Sequence, residues 1–212
     1  MYHCTTNHQY QTMKKLLLLV LLCPFMAMAK FHPGTITFND GTTKTGLTDF
    51  GSYDSGKVKF KSDKKAKQVT FSIDEVKELK IEFEENVVST YIPIRLAKQK
   101  FLKKGFNMDE EKSWARIERK GEVNLYTIFA VGGGMRGYVY FINKEGDDHC
   151  KELGAIYEQG INVFNALKTV AVYIFEDCPN YKDALQKEDF KQRGMFIFAE
   201  KYEELCGKDK KI

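Results

Sequence analysis

The sequence specifies an α+β protein: an N-terminal curled antiparallel β unit, an antiparallel β meander, and C-terminal helices. Three observations carry this. Apolar residues alternate with polar ones in short runs up to about residue 157, with turn residues between the runs. After Gly160 the apolar spacing becomes helical. Two cysteines, Cys178 and Cys206, fall at the ends of the last helical segments.

The elements follow in order. Gly34-Thr35-Ile36-Thr37-Phe38 alternates, Asn39-Asp40-Gly41 turns, and residues 42–47 return, which is a hairpin signature. Gly51 to Gly56 is a second turn cluster. Lys57-Val58-Lys59-Phe60-Lys61 puts lysines on one face and apolar residues on the other. Residues 68–73, 79–83 and 87–96 read as further strands, with Pro93 marking the last as an edge. Strands this short and this closely spaced curl into a small sheet or barrel. Residues 97–112 are lysine-rich and broken by Gly105, and read as a linker or short surface helix. Residues 114–119, 122–131, 138–143 and 150–157 are the strands of the meander.

Val163, Phe164, Leu167, Val170, Ala171 and Ile174 share one helical face. Asp177-Cys178-Pro179 breaks that helix and starts a second over 181–191, since proline suits the first helical turn. Gly194 separates it from a last helix with Met195, Phe198, Tyr202 and Leu205 on its buried face and Gly207 at its end.

The compartment comes from the front of the chain. Met13-Lys14-Lys15 is a basic n-region, Leu16 to Phe25 an apolar core, and Ala27-Met28-Ala29 a small-x-small cleavage site. The expected mature chain begins at Lys30, in the periplasm or outside the cell. The apolar run is too short to span a bilayer, and no longer one follows. Met1 to Thr12 is polar and aperiodic, and reads as an upstream start rather than a long n-region. Cys23 follows the large Leu22, which argues against lipid attachment. The expected organisation is an upstream extension and signal peptide over 1–29, a small β-rich unit over 30–96, a linker over 97–112, and a meander with helical segment over 113–212.

Of the 33 basic residues, Lys14 and Lys15 leave with the leader, so 31 face 29 acidic ones. That near balance argues against a nucleic-acid partner. Cys150, Cys178 and Cys206 remain, an odd number, implying one bridge and one leftover thiol in an oxidising compartment. If the last two helices form an antiparallel hairpin, Cys178 and Cys206 meet. Cys150–Cys178 is the competing pair.

Asp177-Cys178-Pro179, the terminal Lys201-Tyr202-Glu203-Glu204-Leu205-Cys206, the opening Phe31-His32-Pro33-Gly34-Thr35-Ile36-Thr37-Phe38-Asn39-Asp40-Gly41 and the later Gly121-Glu122-Val123-Asn124-Leu125-Tyr126 resemble recurring phrases of a loose group of small exported bacterial proteins. That group has no assigned function, so the resemblance implies a compartment and an order of elements and transfers no catalytic residue.

The chemistry-bearing patterns are sparse. Gly132-Gly133-Gly134-Met135-Arg136-Gly137 matches G-x-G-x-x-G, but a strand-like Tyr138-Val139-Tyr140-Phe141-Ile142 follows where a dinucleotide site needs a helix. Asp147, Asp148, His149 and Cys150 are adjacent, and on extended chain neighbours point apart, so they read as a polar turn rather than a metal site. His149 beside Cys150 is poorly placed as its base, and no G-x-S-x-G or S-x-x-K occurs. Trp114 is either a sugar-stacking platform or core, and its place in a strand beside Ile117 favours core. Lys57, Lys59 and Lys61, with Lys64, Lys65 and Lys67 after them, form the sharpest surface feature. They read either as an anionic-ligand patch or as the solvated lysines of an edge strand.

No cofactor or metal is expected. The expected function is an exported non-catalytic module binding an envelope glycan, another envelope component or a partner protein. The alternative is a small hydrolase of envelope or extracellular polymers working through paired carboxylates.

Overall fold

Ten strands and four helices account for the regular structure in the computed structural model, which describes residues 30–84, 87–100, 103–132, 135–157 and 163–208. The leader, its cleavage site and Cys23 lie outside the described residues. The strands are β1 (His32–Phe38), β2 (Thr43–Asp49), β3 (Lys57–Lys61), β4 (Val69–Ser72), β5 (Val76–Glu84), β6 (Val87–Gln99), β7 (Phe106–Arg119), β8 (Val123–Gly132), β9 (Met135–Lys144) and β10 (His149–Tyr157). They form one sheet in the order β10-β9-β8-β7-β6-β5-β1-β2-β3-β4.

A second pairing, β10 with β6, closes the last five strands into a barrel. Five antiparallel neighbours leave the first and last strands running the same way, so the closing ladder is parallel, with His149 opposite Arg95, Cys150 opposite Leu96 and Lys151 opposite Ala97. The α+β class holds, but the closed barrel is built from the four meander strands together with β6, the last strand of the expected N-terminal unit.

Residues 97–112, expected as a linker, are instead the end of β6 and the start of β7, joined by a hairpin turn. The lysine-rich composition reflects exposure of that hairpin, and masked its strand pairing. Pro93 marks no edge strand either, because β6 has neighbours on both sides. It sits in a local gap: pairing with β5 ends at Tyr91 and pairing with β10 begins at Arg95. The missing N–H therefore falls where β6 has β7 alone beside it, at the point where the strand passes from the curled sheet into the barrel.

Period two sorts the barrel residues into two cores. Ile94, Leu96, Ala115, Tyr126, Ile128, Phe141 and Cys150 form one cluster drawn from all five strands, the barrel interior. Their neighbours Leu125 and Ile142, with Val123 and Leu153, face outward and pack under the helices. Those helices are α1 (Phe164–Ile174), α2 (Tyr181–Ala184), α3 (Lys187–Arg193) and α4 (Phe196–Cys206). The single helix expected over 181–191 is two, because Leu185 and Gln186 take extended backbone; Leu185 turns inward and is buried. Phe164, Leu167, Ala171 and Ile174 are the buried face of α1. On α4, Phe198 and Tyr202 are buried, whereas Leu205 is exposed and Ile197 and Ala199 take up core positions.

Two glycines let the helices approach. Gly154 sits at a bulge in β10 with φ +143°, and a Cβ there would lie 2.5 Å from Leu167 Cδ2. At Gly121 a Cβ would lie 2.7 Å from both Arg119 Nη1 and Glu203 Oε1. Glu203 on α4 accepts hydrogen bonds from Arg119 Nη1 at 2.8 Å, from Arg119 Nη2, and from the Val123 N–H at 2.8 Å. Arg119 Nη1 also donates to the Val123 carbonyl at 2.7 Å. Arg119 holds the Glu203 carboxyl below the usual range; partial burial opposes this and the Val123 N–H assists it.

Cys178 and Cys206 form a disulfide with Cα atoms 5.8 Å apart, and Cys150 is free and buried. The bridge joins the turn after α1 to the end of α4, closing a loop of sequence separation 28. Tyr181 Oη donates to the Phe198 carbonyl at 2.7 Å inside the same loop.

The N-terminal strands have a separate core of Ile36, Val58, Phe60, Ile73, Val76, Leu79 and Ile81, completed by Trp114 from β7. Trp114 is fully buried, in keeping with the core reading.

Candidate functional site

The lysine stripe lies where alternation places it. Val58 and Phe60 are buried, and Lys57, Lys59 and Lys61 occupy the other face of β3. That strand is internal, between β2 and β4, so the edge-protecting explanation does not fit it. Lys57 is exposed. Lys59 is 3.4 Å from Asp49 Oδ2, and Lys61 Nζ sits 4.8 Å from the centre of the Phe31 ring. Two of the three cations are thus engaged by the protein itself.

The described ends of the glycine-rich motif belong to paired strands: Gly132 pairs with Met135, and β9 continues from there where a dinucleotide site needs a helix. The polar cluster is dispersed. Asp147 Oδ2 accepts the Lys144 N–H at 3.3 Å, Asp148 is exposed, His149 opens β10 and Cys150 points into the barrel. Among the described residues no group of three or more His, Cys, Asp or Glu is placed to hold a metal. Burial, reinforced by Asp147, pushes the Cys150 thiol up to about 12, which keeps it protonated and poorly nucleophilic.

Cavities lined by described residues offer further candidates. The first, of about 460 Å³, lies between the turn end of the β6–β7 hairpin and α1. Phe106, at the start of β7, stacks on Tyr173 of α1 with ring centres 5.9 Å apart and planes at 23°. With Val170 and Val172 they make an apolar lining, and Lys103 and Lys104 stand at its rim beside Gln99 and Thr169. Among its described lining residues Glu176 is the one carboxylate. The volume falls inside the range of small-molecule sites, and so does the mix of apolar walls and few polar groups. These residues escape a sequence reading because residues 106–112 are mostly charged and Tyr173 lies off the buried face of α1. The one available signal was Phe106 itself, an aromatic at the end of a lysine run.

A second cavity, of about 210 Å³, opens where β7 and β8 part. Their ladder ends at Arg116 opposite Thr127. Beyond it the β2–β3 loop wedges in, and the Trp114 N–H donates to the Tyr53 carbonyl at 2.8 Å. Phe50, Tyr53, Tyr91, Phe129 and Tyr138 line the space with Arg116. Trp114 Nε1, in the floor, finds no hydrogen-bond acceptor among the described residues.

The third, about 620 Å³, is a mixed-charge cleft holding Glu78 and Glu118. Each has its own cation: Glu78 lies 3.3 Å from Lys80, and Glu118 Oε1 accepts Arg116 Nε at 2.6 Å and the Thr127 hydroxyl.

Among the described residues no helix is long and apolar enough to cross a membrane. Compared with known proteins, the chain matches no family model, no curated protein and no solved structure.

Proposed function

We propose that this protein is an exported, non-catalytic module that binds an amphipathic, anionic component of the cell envelope in the cavity between the β6–β7 hairpin and α1. The observation that carries this is the pairing of an apolar lining, Phe106, Val170, Val172 and Tyr173, with two lysines at the rim. Apolar walls take a hydrocarbon chain, and the rim ammonium groups take a carboxylate or phosphate head. The disulfide and the leader support export. The lysines of β3 offer a second, weaker contact for an anionic surface, with Lys57 the most accessible of them.

The test is calorimetric titration with laurate and with dodecyl phosphate, which share the chain and differ in the head, beside neutral dodecyl maltoside. The anionic amphiphiles bind and the neutral one binds more weakly. Joint Lys103→Glu and Lys104→Glu substitution weakens the anions by about tenfold, and added salt narrows that gap. Thr169→Trp, which fills the cavity from an exposed position, abolishes binding of all three. Equal affinity for charged and neutral heads overturns the reading.

The hydrolase reading rests on Glu78 and Glu118 sharing one cleft. Each of the two is already tied to a neighbouring cation, Glu78 to Lys80 and Glu118 to Arg116, rather than turned toward its fellow carboxylate across an open substrate position, which favours binding over turnover. Turnover of an envelope polymer that Glu118→Gln abolishes would reverse that preference.

A further inference from the structure

We infer that the seam between β7 and β8 is a binding site for a single neutral pyranose ring. This site is separate from the cavity at α1, and the inference does not depend on that reading.

The seam is a product of topology. Three residue pairs join β7 to β8, ending at Arg116 and Thr127; above them β7 keeps only β6 and β8 keeps only β9. The β2–β3 loop occupies part of the opening through the Trp114–Tyr53 hydrogen bond and leaves about 210 Å³. That is room for one six-membered ring with its substituents.

Its lining is mostly aromatic. Phe50 and Tyr91 lie with ring centres 4.9 Å apart, and Phe129 and Tyr138 form a cross-strand pair at 5.2 Å. Phe129 and Tyr138 are each 37 % exposed, so these two rings also meet solvent. The faces of aromatic rings attract the weakly positive C–H groups of a sugar ring.

The polar edge selects charge. Arg116 lies over the Tyr138 ring at 5.2 Å and is joined to Thr127 through Glu118 Oε1. The guanidinium and carboxylate neutralise each other. An anionic ligand meets a guanidinium whose Nε and Nη2 already face Glu118, so it gains less than a full ion pair. A polyol needs no net charge at the site, because its hydroxyls donate and accept alike.

Trp114, the only tryptophan, sits in the floor of the cavity and reports on it. The experiment titrates the mature, oxidised protein with methyl glucopyranoside, methyl mannopyranoside and methyl N-acetylglucosaminide while following Trp114 emission, with benzoate as the anionic control. At least one pyranoside gives a saturable change with Kd about 1 mM. Tyr138→Ala and Arg116→Met each weaken it by about tenfold or more. Thr169→Phe, which narrows the cavity at α1 without adding a second indole, leaves it unchanged. Phe129→Ala, at an exposed position, decides the matter if the Arg116 variant does not fold. The inference is overturned if no pyranoside produces a saturable change, if benzoate binds more tightly than every sugar, or if the folded Tyr138 and Phe129 variants bind as well as the parent.

Discussion

The barrel and the N-terminal sheet share β6 and β7, yet they are stabilised in different ways. Of the barrel strands, β8, β9 and β10 are buried on both faces, inward around Tyr126, Phe141 and Cys150 and outward under α1 and α4, and a disulfide locks the helical cover. The N-terminal strands bury mainly the face that carries Ile36, Val58, Leu79 and Ile81, and no helix contributes to that core. Closure also protects the barrel on its β6–β10 side, whereas β4 ends the other side of the sheet with Val69 46 % exposed. Covering both faces of a strand and closing its edge makes local opening costly; a sheet covered on one face opens first. Two of the cavities fall along this division, one beside α1 and one where the regions meet.

The largest expected effect is at the residue common to both regions. Trp114→Ala removes the indole from the N-terminal core and loosens the seam. It is expected to cost about 3–5 kcal/mol and to speed amide exchange in β1, β5 and β7 together. Circular dichroism during denaturation and hydrogen exchange measure it.

Removing the bridge tests the barrel side alone. Joint Cys178→Ser and Cys206→Ser is expected to cost about 3–4 kcal/mol by loop-closure reasoning. Exchange then accelerates in α2 to α4 and stays unchanged in β1 to β4. Uniform acceleration would show that the two regions unfold as one.

Gly154→Ala comes next, at about 1–3 kcal/mol, because φ +143° and the 2.5 Å approach of Leu167 both oppose a side chain. Thermal denaturation reads it, and the loss falls on the α1 contact.

The Arg119–Glu203 tie gives a smaller effect with a definite sign. Its carboxyl is held below the usual range, so its contribution is complete above the unfolded glutamate value of about 4.3 and disappears as pH falls through the folded value. Glu203→Gln is expected to lose about 1–2 kcal/mol at neutral pH, since both partners are mostly covered. Denaturation curves of the two proteins then converge as pH falls through that folded value. A gap that persists in acid would assign the loss to packing.

Much of this was legible from local pattern. Alternation around Val58 and Phe60, the Asn39-Asp40-Gly41 turn, the α1 face from Phe164 to Ile174 and the Cys178–Cys206 pairing all depend on neighbours within a few residues or on the ends of one hairpin. The hairpin over 97–112 was not legible, since its charged residues face solvent on a strand whose pairing comes from elsewhere. Neither cavity was legible, because each joins elements far apart in the chain: Phe106 with Tyr173, and Phe50 with Tyr138.

From the chain alone come the run of strands, the change to helices after Gly160 and the cysteine pair, because period and turn chemistry are properties of neighbouring residues. Folding in three dimensions settled the rest. Barrel closure required Cys150 to reach Leu96, and the seam required β7 and β8 to diverge after Arg116 and Thr127. Curvature and register summed over five strands set both distances, and no single segment encodes that sum.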